Sequence, residues 1–125
     1  MTFRVLALSL LFGTSASAAS LPIEQGFYVL DGVECRDAPN AALFEYKDGA
    51  FRYPHASQCR SAVVEHTERA YVVDEVCSAL GDGTPSEPVK TTSEYKVMSR
   101  TRIVVTSLTA SDREARAYRY CPAIN

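Results

Sequence analysis

The chain has 125 residues, with 13 Lys and Arg against 15 Asp and Glu, a formal net charge of −2, and no tryptophan. That length limits it to one domain with a modest core. The basic residues are scattered and form no run, which argues against nucleic acid or an anionic membrane surface as the main partner.

Residues 1–19 read as a cleavable secretory signal peptide. Met1 to Arg4 carries one positive charge, Val5 to Gly13 is a short apolar run, and Ala16-Ser17-Ala18 or Ser17-Ala18-Ala19 offers a small-x-small cleavage site. The apolar run is about half the roughly 20 residues that a spanning helix needs. No cysteine precedes Cys35, so lipidation of a new N-terminus is not expected. No later stretch is apolar enough to span a membrane. These features predict a free secreted or periplasmic protein, with residues 20–125 as its one domain. Losing Arg4 with the signal leaves 12 basic against 15 acidic residues.

Period-two alternation with frequent β-branched and aromatic residues predicts strands, and no long amphipathic helix pattern occurs. Gly26 to Leu30 is the first predicted strand. Leu43 to Lys47 and Ala50 to Tyr53 flank Asp48-Gly49, a strong hairpin signal. With these two as the turn, Phe44 faces Tyr53, Glu45 faces Arg52 and Tyr46 faces Phe51. That puts aromatics on one face and an ion pair on the other. Ala62 to His66 and Tyr71 to Cys77 form a second hairpin around Thr67-Glu68-Arg69. Thr92 to Met98 and Ile103 to Leu108 form a third, and Ala115 to Tyr120 is the last strand. About eight short strands at this spacing predict an all-β antiparallel meander, barrel-like and of lipocalin or lysozyme-inhibitor size. In an up-and-down order, three long connections collect at one end, the top: Asp31 to Ala42, Pro54 to Ser61, and Ser78 to Thr91.

Four cysteines in an exported domain imply two disulfides, and their spacings of 24, 18 and 44 residues give no metal-binding pair. The meander puts Cys35, Cys59 and Cys77 near the top and Cys121 at the bottom. This favours Cys35–Cys59, tying two top loops, with Cys77–Cys121. The rival is Cys59–Cys77 with Cys35–Cys121, supported because Cys59 and Cys77 are equidistant from residue 68.

The expected site is a polar recognition surface on the top loops, formed by Arg36, Asp37, Asn40, His55, Ser57 and Asp82. These residue types also simply make turns. His55, Ser57 and an aspartate have the atoms of a hydrolase triad, but no G-x-S-x-G elbow occurs. Gly81-Asp82-Gly83-Thr84 lacks the lysine and spacing of a phosphate loop. The expectation is therefore a non-enzyme with no cofactor and no metal. Phe27, Tyr28, Phe44, Tyr46, Phe51, Tyr53, Tyr71, Tyr95, Tyr118 and Tyr120 are candidate core, or the lining of a cavity for a small apolar ligand.

The run Cys35-Arg36-Asp37-Ala38-Pro39-Asn40, the segment Pro54-His55-Ala56-Ser57-Gln58-Cys59, and Leu80-Gly81-Asp82-Gly83-Thr84-Pro85 resemble small exported two-disulfide bacterial proteins of unassigned function. In size and two-bridge β character the chain is also similar to periplasmic lysozyme inhibitors, without their Ser-Gly-x-x-Tyr signature. The resemblance implies no activity; compactness, two disulfides, net acidity and clustered polar loops point instead to a non-enzymatic binding module, with inhibition of a secreted or cell-wall enzyme as its leading form. A small-molecule carrier is the alternative, and a hydrolase comes third.

Overall fold

A computed structural model describes residues 20–122; the signal-peptide expectation for residues 1–19 lies outside them. Eight antiparallel strands form one sheet in a nearly closed barrel: β1 Gly26–Leu30, β2 Leu43–Lys47, β3 Ala50–Arg52, β4 Ala56–Thr67, β5 Ala70–Leu80, β6 Pro85–Ser99, β7 Arg102–Ser107 and β8 Ala115–Cys121. The sheet order is β3-β2-β1-β8-β7-β6-β5-β4, so consecutive strands are neighbours and β1 joins the last strand to β2. Between β3 and β4, the sheet's two ends, the ladder has a single bridge, Tyr53 to Ala56. Among the described residues no helix is long and apolar enough to cross a membrane.

The Asp48-Gly49 turn behaves as its sequence dictates. Both residues have positive φ, 52° and 74°, as a type I′ turn demands. The pairs Glu45–Arg52, Tyr46–Phe51 and Lys47–Ala50 follow. Glu45 and Arg52 meet at 3.3 Å outside, while Phe44, Tyr46 and Phe51 are buried inside.

Aromatic rings fill the lower barrel. Tyr28 stacks on Phe44 at 5.5 Å, Phe51 stacks on Tyr95 at 4.6 Å, and Tyr118 and Tyr120 pack edgewise or tilted against the first pair. The floor is closed by the segment before β1. Leu21 and Ile23 are buried in the core, and the Leu21 N–H donates to the Tyr46 hydroxyl at 2.9 Å. Tyr28 donates to the Glu24 carbonyl at 2.8 Å, satisfying a phenol that burial would otherwise penalise.

The preferred cysteine pairing is wrong. The bridges are Cys35–Cys121 and Cys59–Cys77. The premise that Cys35 stays at the top fails, because the segment after β1 does not stay there. Cys121 sits opposite Phe27 near the start of β1, and Cys35 reaches it. Arg119 holds the returning segment by donating to the Val33 carbonyl. Cys59 and Cys77 are direct cross-strand partners, and a β-bulge makes them so. From the Glu68-Arg69 turn upward the pairs are Thr67–Ala70, His66–Tyr71 and Glu65–Val72. Val64 is then left unpaired, and Val63–Val73 begins a register shifted by one residue. Without that shift Cys59 would oppose Ser78.

Two of the three expected top connections are also corrected. Residues 56–61 and most of 78–91 are strand, so β4, β5 and β6 rise beyond the barrel as a three-stranded extension. Above Thr92, β6 has no β7 partner, and an edge tolerates Pro85 and Pro88 because no ladder donor is needed there.

If the N-terminal segment closes the floor, Leu21→Ala should cost about 2–5 kcal/mol. Thermal denaturation should show a fall of roughly 10 °C or more. An unchanged midpoint would mean that the segment contributes nothing to the core.

Candidate functional site

Above the aromatic layers the interior opens into a cavity of about 320 Å³, within the range of small-molecule sites. The concave face of the β4–β6 extension forms one wall. Ala79 and Leu80 of β5, Val89, Thr91 and Ser93 of β6, and Ser107 of β7 line it. Tyr53, His55 and Ala56, at the β3–β4 turn, line the side nearest the seam of the barrel. Leu80 and Val89 are 50% and 59% exposed, so the cavity's apolar side faces solvent unfilled.

The hairpin tip meets the β3–β4 turn at backbone distance. A Cβ on Gly81 would lie 1.8 Å from the Pro54 carbonyl oxygen, so glycine is required for that closeness. Ser57 donates to the Leu80 carbonyl and joins the same two elements.

Glu75 is the cavity's one buried ionisable carboxylate, 7% exposed, and it sits in a hydroxyl network. Ser61 donates to Oε2 at 3.0 Å and Tyr53 does so at 3.4 Å. The Tyr53 and Tyr95 hydroxyls are 3.3 Å apart. Burial raises the Glu75 pKa above the ordinary 4.5, against the lowering effect of Ser61 and Tyr53. Burial also raises the phenols of Tyr53 and Tyr95, so both are neutral donors at physiological pH. Oε1 has a different environment. It lies 3.8 Å from the Cys77 sulfur, and a disulfide sulfur has no proton to give. Among the described residues, Oε1 therefore has no donor.

Cys59, Glu75 and Cys77 would also put three metal-ligand atoms within 4.8 Å of one another. Both sulfurs are bonded to each other and offer no thiolate, which zinc coordination requires.

The sequence-derived residues separate into groups. His55, Ser57 and Asp82 gather where the hairpin tip meets the β3–β4 turn, and His55 lines the cavity, its ring 5.5 Å from that of Tyr53. Asp82 accepts from the Thr84 N–H at 2.9 Å and so builds the tip. Its pKa is lowered by those Thr84 hydrogen bonds. Arg36 and Asp37 follow Cys35, which is tied to Cys121, and Asn40 opens the 3₁₀ turn Asn40–Ala42 before β2. Sequence reasoning missed Glu75, Ser61, Val89, Thr91 and Ser107. The usable signal was Glu75 itself, an acidic residue at an inward position between Val73 and Cys77.

No protein-family model matches the chain, and no curated protein and no solved structure matches it significantly.

A carboxyl whose folded pKa lies above its unfolded value favours the fold when protonated, and that contribution is lost as pH rises through the folded pKa. Glu75→Gln removes the titration and keeps an acceptor for Ser61 and Tyr53. Its melting temperature relative to wild type should therefore rise between about pH 4 and neutrality, and the gap should close below pH 4. Melting curves across pH test this; a constant difference would mean that Glu75 titrates normally.

Proposed function

We propose that the chain is an exported, non-enzymatic binding protein, and that its site is the cavity at the barrel mouth, which takes a small ligand with an apolar body. The observation that carries this reading is the cavity itself: an open recess with apolar walls, ending at a buried hydrogen-bonding group, on a rigid sheet. Export accounts for two disulfides in so small a domain.

The aromatic filling below narrows the carrier reading. A ligand occupies the mouth, because the space beneath Tyr53 and Tyr95 is taken by side chains. The alternative, recognition of another protein or inhibition of a secreted enzyme through loops, draws support from the cluster of His55, Ser57 and Asp82. It draws less from Arg36 and Asp37, which are anchored through Cys35 to Cys121.

Native mass spectrometry after mild purification, followed by NMR titration with small apolar fragments, tests the cavity reading. Thr91→Trp places a large ring in the cavity from an exposed position on β6, away from the packed core. It should weaken fragment binding at least tenfold, while Arg36→Ala and Asp37→Ala leave it unchanged. Equal binding by Thr91→Trp, or no binding by wild type, would contradict the proposal.

A further inference from the structure

The geometry points to a ligand class for this cavity: a small organic cation, an apolar body carrying a protonated amine, with the ammonium held on Glu75 Oε1. This inference rests on the mouth cavity being the binding site and adds the chemistry of what it selects.

Three observations carry it. The first is the asymmetry of the carboxylate. Glu75 lines the cavity; its Oε2 accepts from Ser61 and Tyr53, whereas its Oε1 faces a sulfur that cannot donate. A buried carboxylate oxygen without a donor is costly, and a ligand N–H would remove that cost.

The second is the charge of the wall. Among the described residues lining the cavity there is no Lys or Arg, Glu75 is the one carboxylate, and His55 is an exposed imidazole at the rim. The other groups facing Glu75 are Ser61 from β4, Tyr53 beside the seam and Tyr95 from β6. All are hydroxyls, and none is a cation that would neutralise it. An anionic ligand such as a fatty acid would meet an uncompensated negative charge. A monocation would supply the opposite charge that a buried carboxylate lacks.

The third is the remaining lining. Ala79, Leu80, Val89 and the bridged Cys77 offer apolar surface, and Thr91, Ser93 and Ser107 offer hydroxyls. A bare metal ion or a strongly hydrated polycation has nothing to gain from such walls. An arylalkyl or alkyl amine buries its carbon skeleton there.

The experiment compares three probes that share a phenyl ring on a two-carbon chain and differ in charge, on the full exported domain: 2-phenylethylamine, 2-phenylethanol and 3-phenylpropanoate. Affinities are read by NMR titration at neutral pH against wild type, Glu75→Gln and Thr91→Trp. The amine should bind wild type at least tenfold more tightly than either other probe. Glu75→Gln should erase that preference while keeping its folded spectrum, and Thr91→Trp should weaken the amine.

If the alcohol or the carboxylate binds as well as the amine, the inference falls and the cavity reading stands. An amine preference that survives in Glu75→Gln overturns the assignment to Glu75. If the amine does not bind at all, the inference falls. If the neutral fragments also fail, the cavity reading falls with it.

Discussion

One unpaired residue sets the register on which the upper half of this protein depends. Val64 is the extra residue of the bulge in β4, 56% exposed, and it makes no ladder pair. Strand side chains alternate with a period of two, so one inserted residue exchanges the faces on either side of it. Below the bulge His66 lies on Tyr71, their rings 3.9 Å apart. Above it Val63, Ser61 and Cys59 pair with Val73, Glu75 and Cys77. Continued without the bulge, the same ladder would bring Arg60 opposite Cys77 and Ala62 opposite Glu75. The cross-strand disulfide and the hydroxyl donor to the buried carboxylate would both be lost.

The two halves of the interior then serve different ends. Below, stacked and tilted rings fill the barrel, as small barrels fill themselves with side chains. Above, β4, β5 and β6 run on past their neighbours and curve into one wall with little opposite it. The Cys59–Cys77 bridge ties β4 to β5 where the extension leaves the barrel, and the close approach of Gly81 to Pro54 fixes its tip. A cavity remains because the strands are longer than the core they enclose. Glu75 sits at the boundary, with Oε2 accepting from Ser61 and Tyr53 and Oε1 beside the Cys77 sulfur.

Much of the fold was legible in the sequence. The Asp48-Gly49 dipeptide demands positive φ at both positions and fixed its hairpin register residue by residue. The eight strands and their meander order followed from alternation and turn spacing. The extension was not legible, because Pro85, Pro88, Gly81 and the serines near them have turn composition, and only their place on a sheet edge lets most of them be strand. The cysteine pairing failed for a related reason. Spacing along the chain cannot show that the segment after β1 doubles back to Cys121. The equidistance of Cys59 and Cys77 from residue 68 was the better clue, although it works only through the bulge. The rim residues His55, Ser57 and Asp82 were found by composition. Glu75 was passed over because a lone glutamate in a strand reads as solvent-facing until the register is known.

Deleting Val64 and mapping the disulfides under non-reducing conditions tests the register most directly. Without Val64, Glu65–Val72 and Val63–Val73 become consecutive pairs and Cys59 still faces Cys77, so the purified variant should lose the bulge but carry both Cys35–Cys121 and Cys59–Cys77. Free thiols at Cys59 and Cys77 in the deletion variant would show that Val64 belongs to the ladder rather than standing outside it, and would contradict the account.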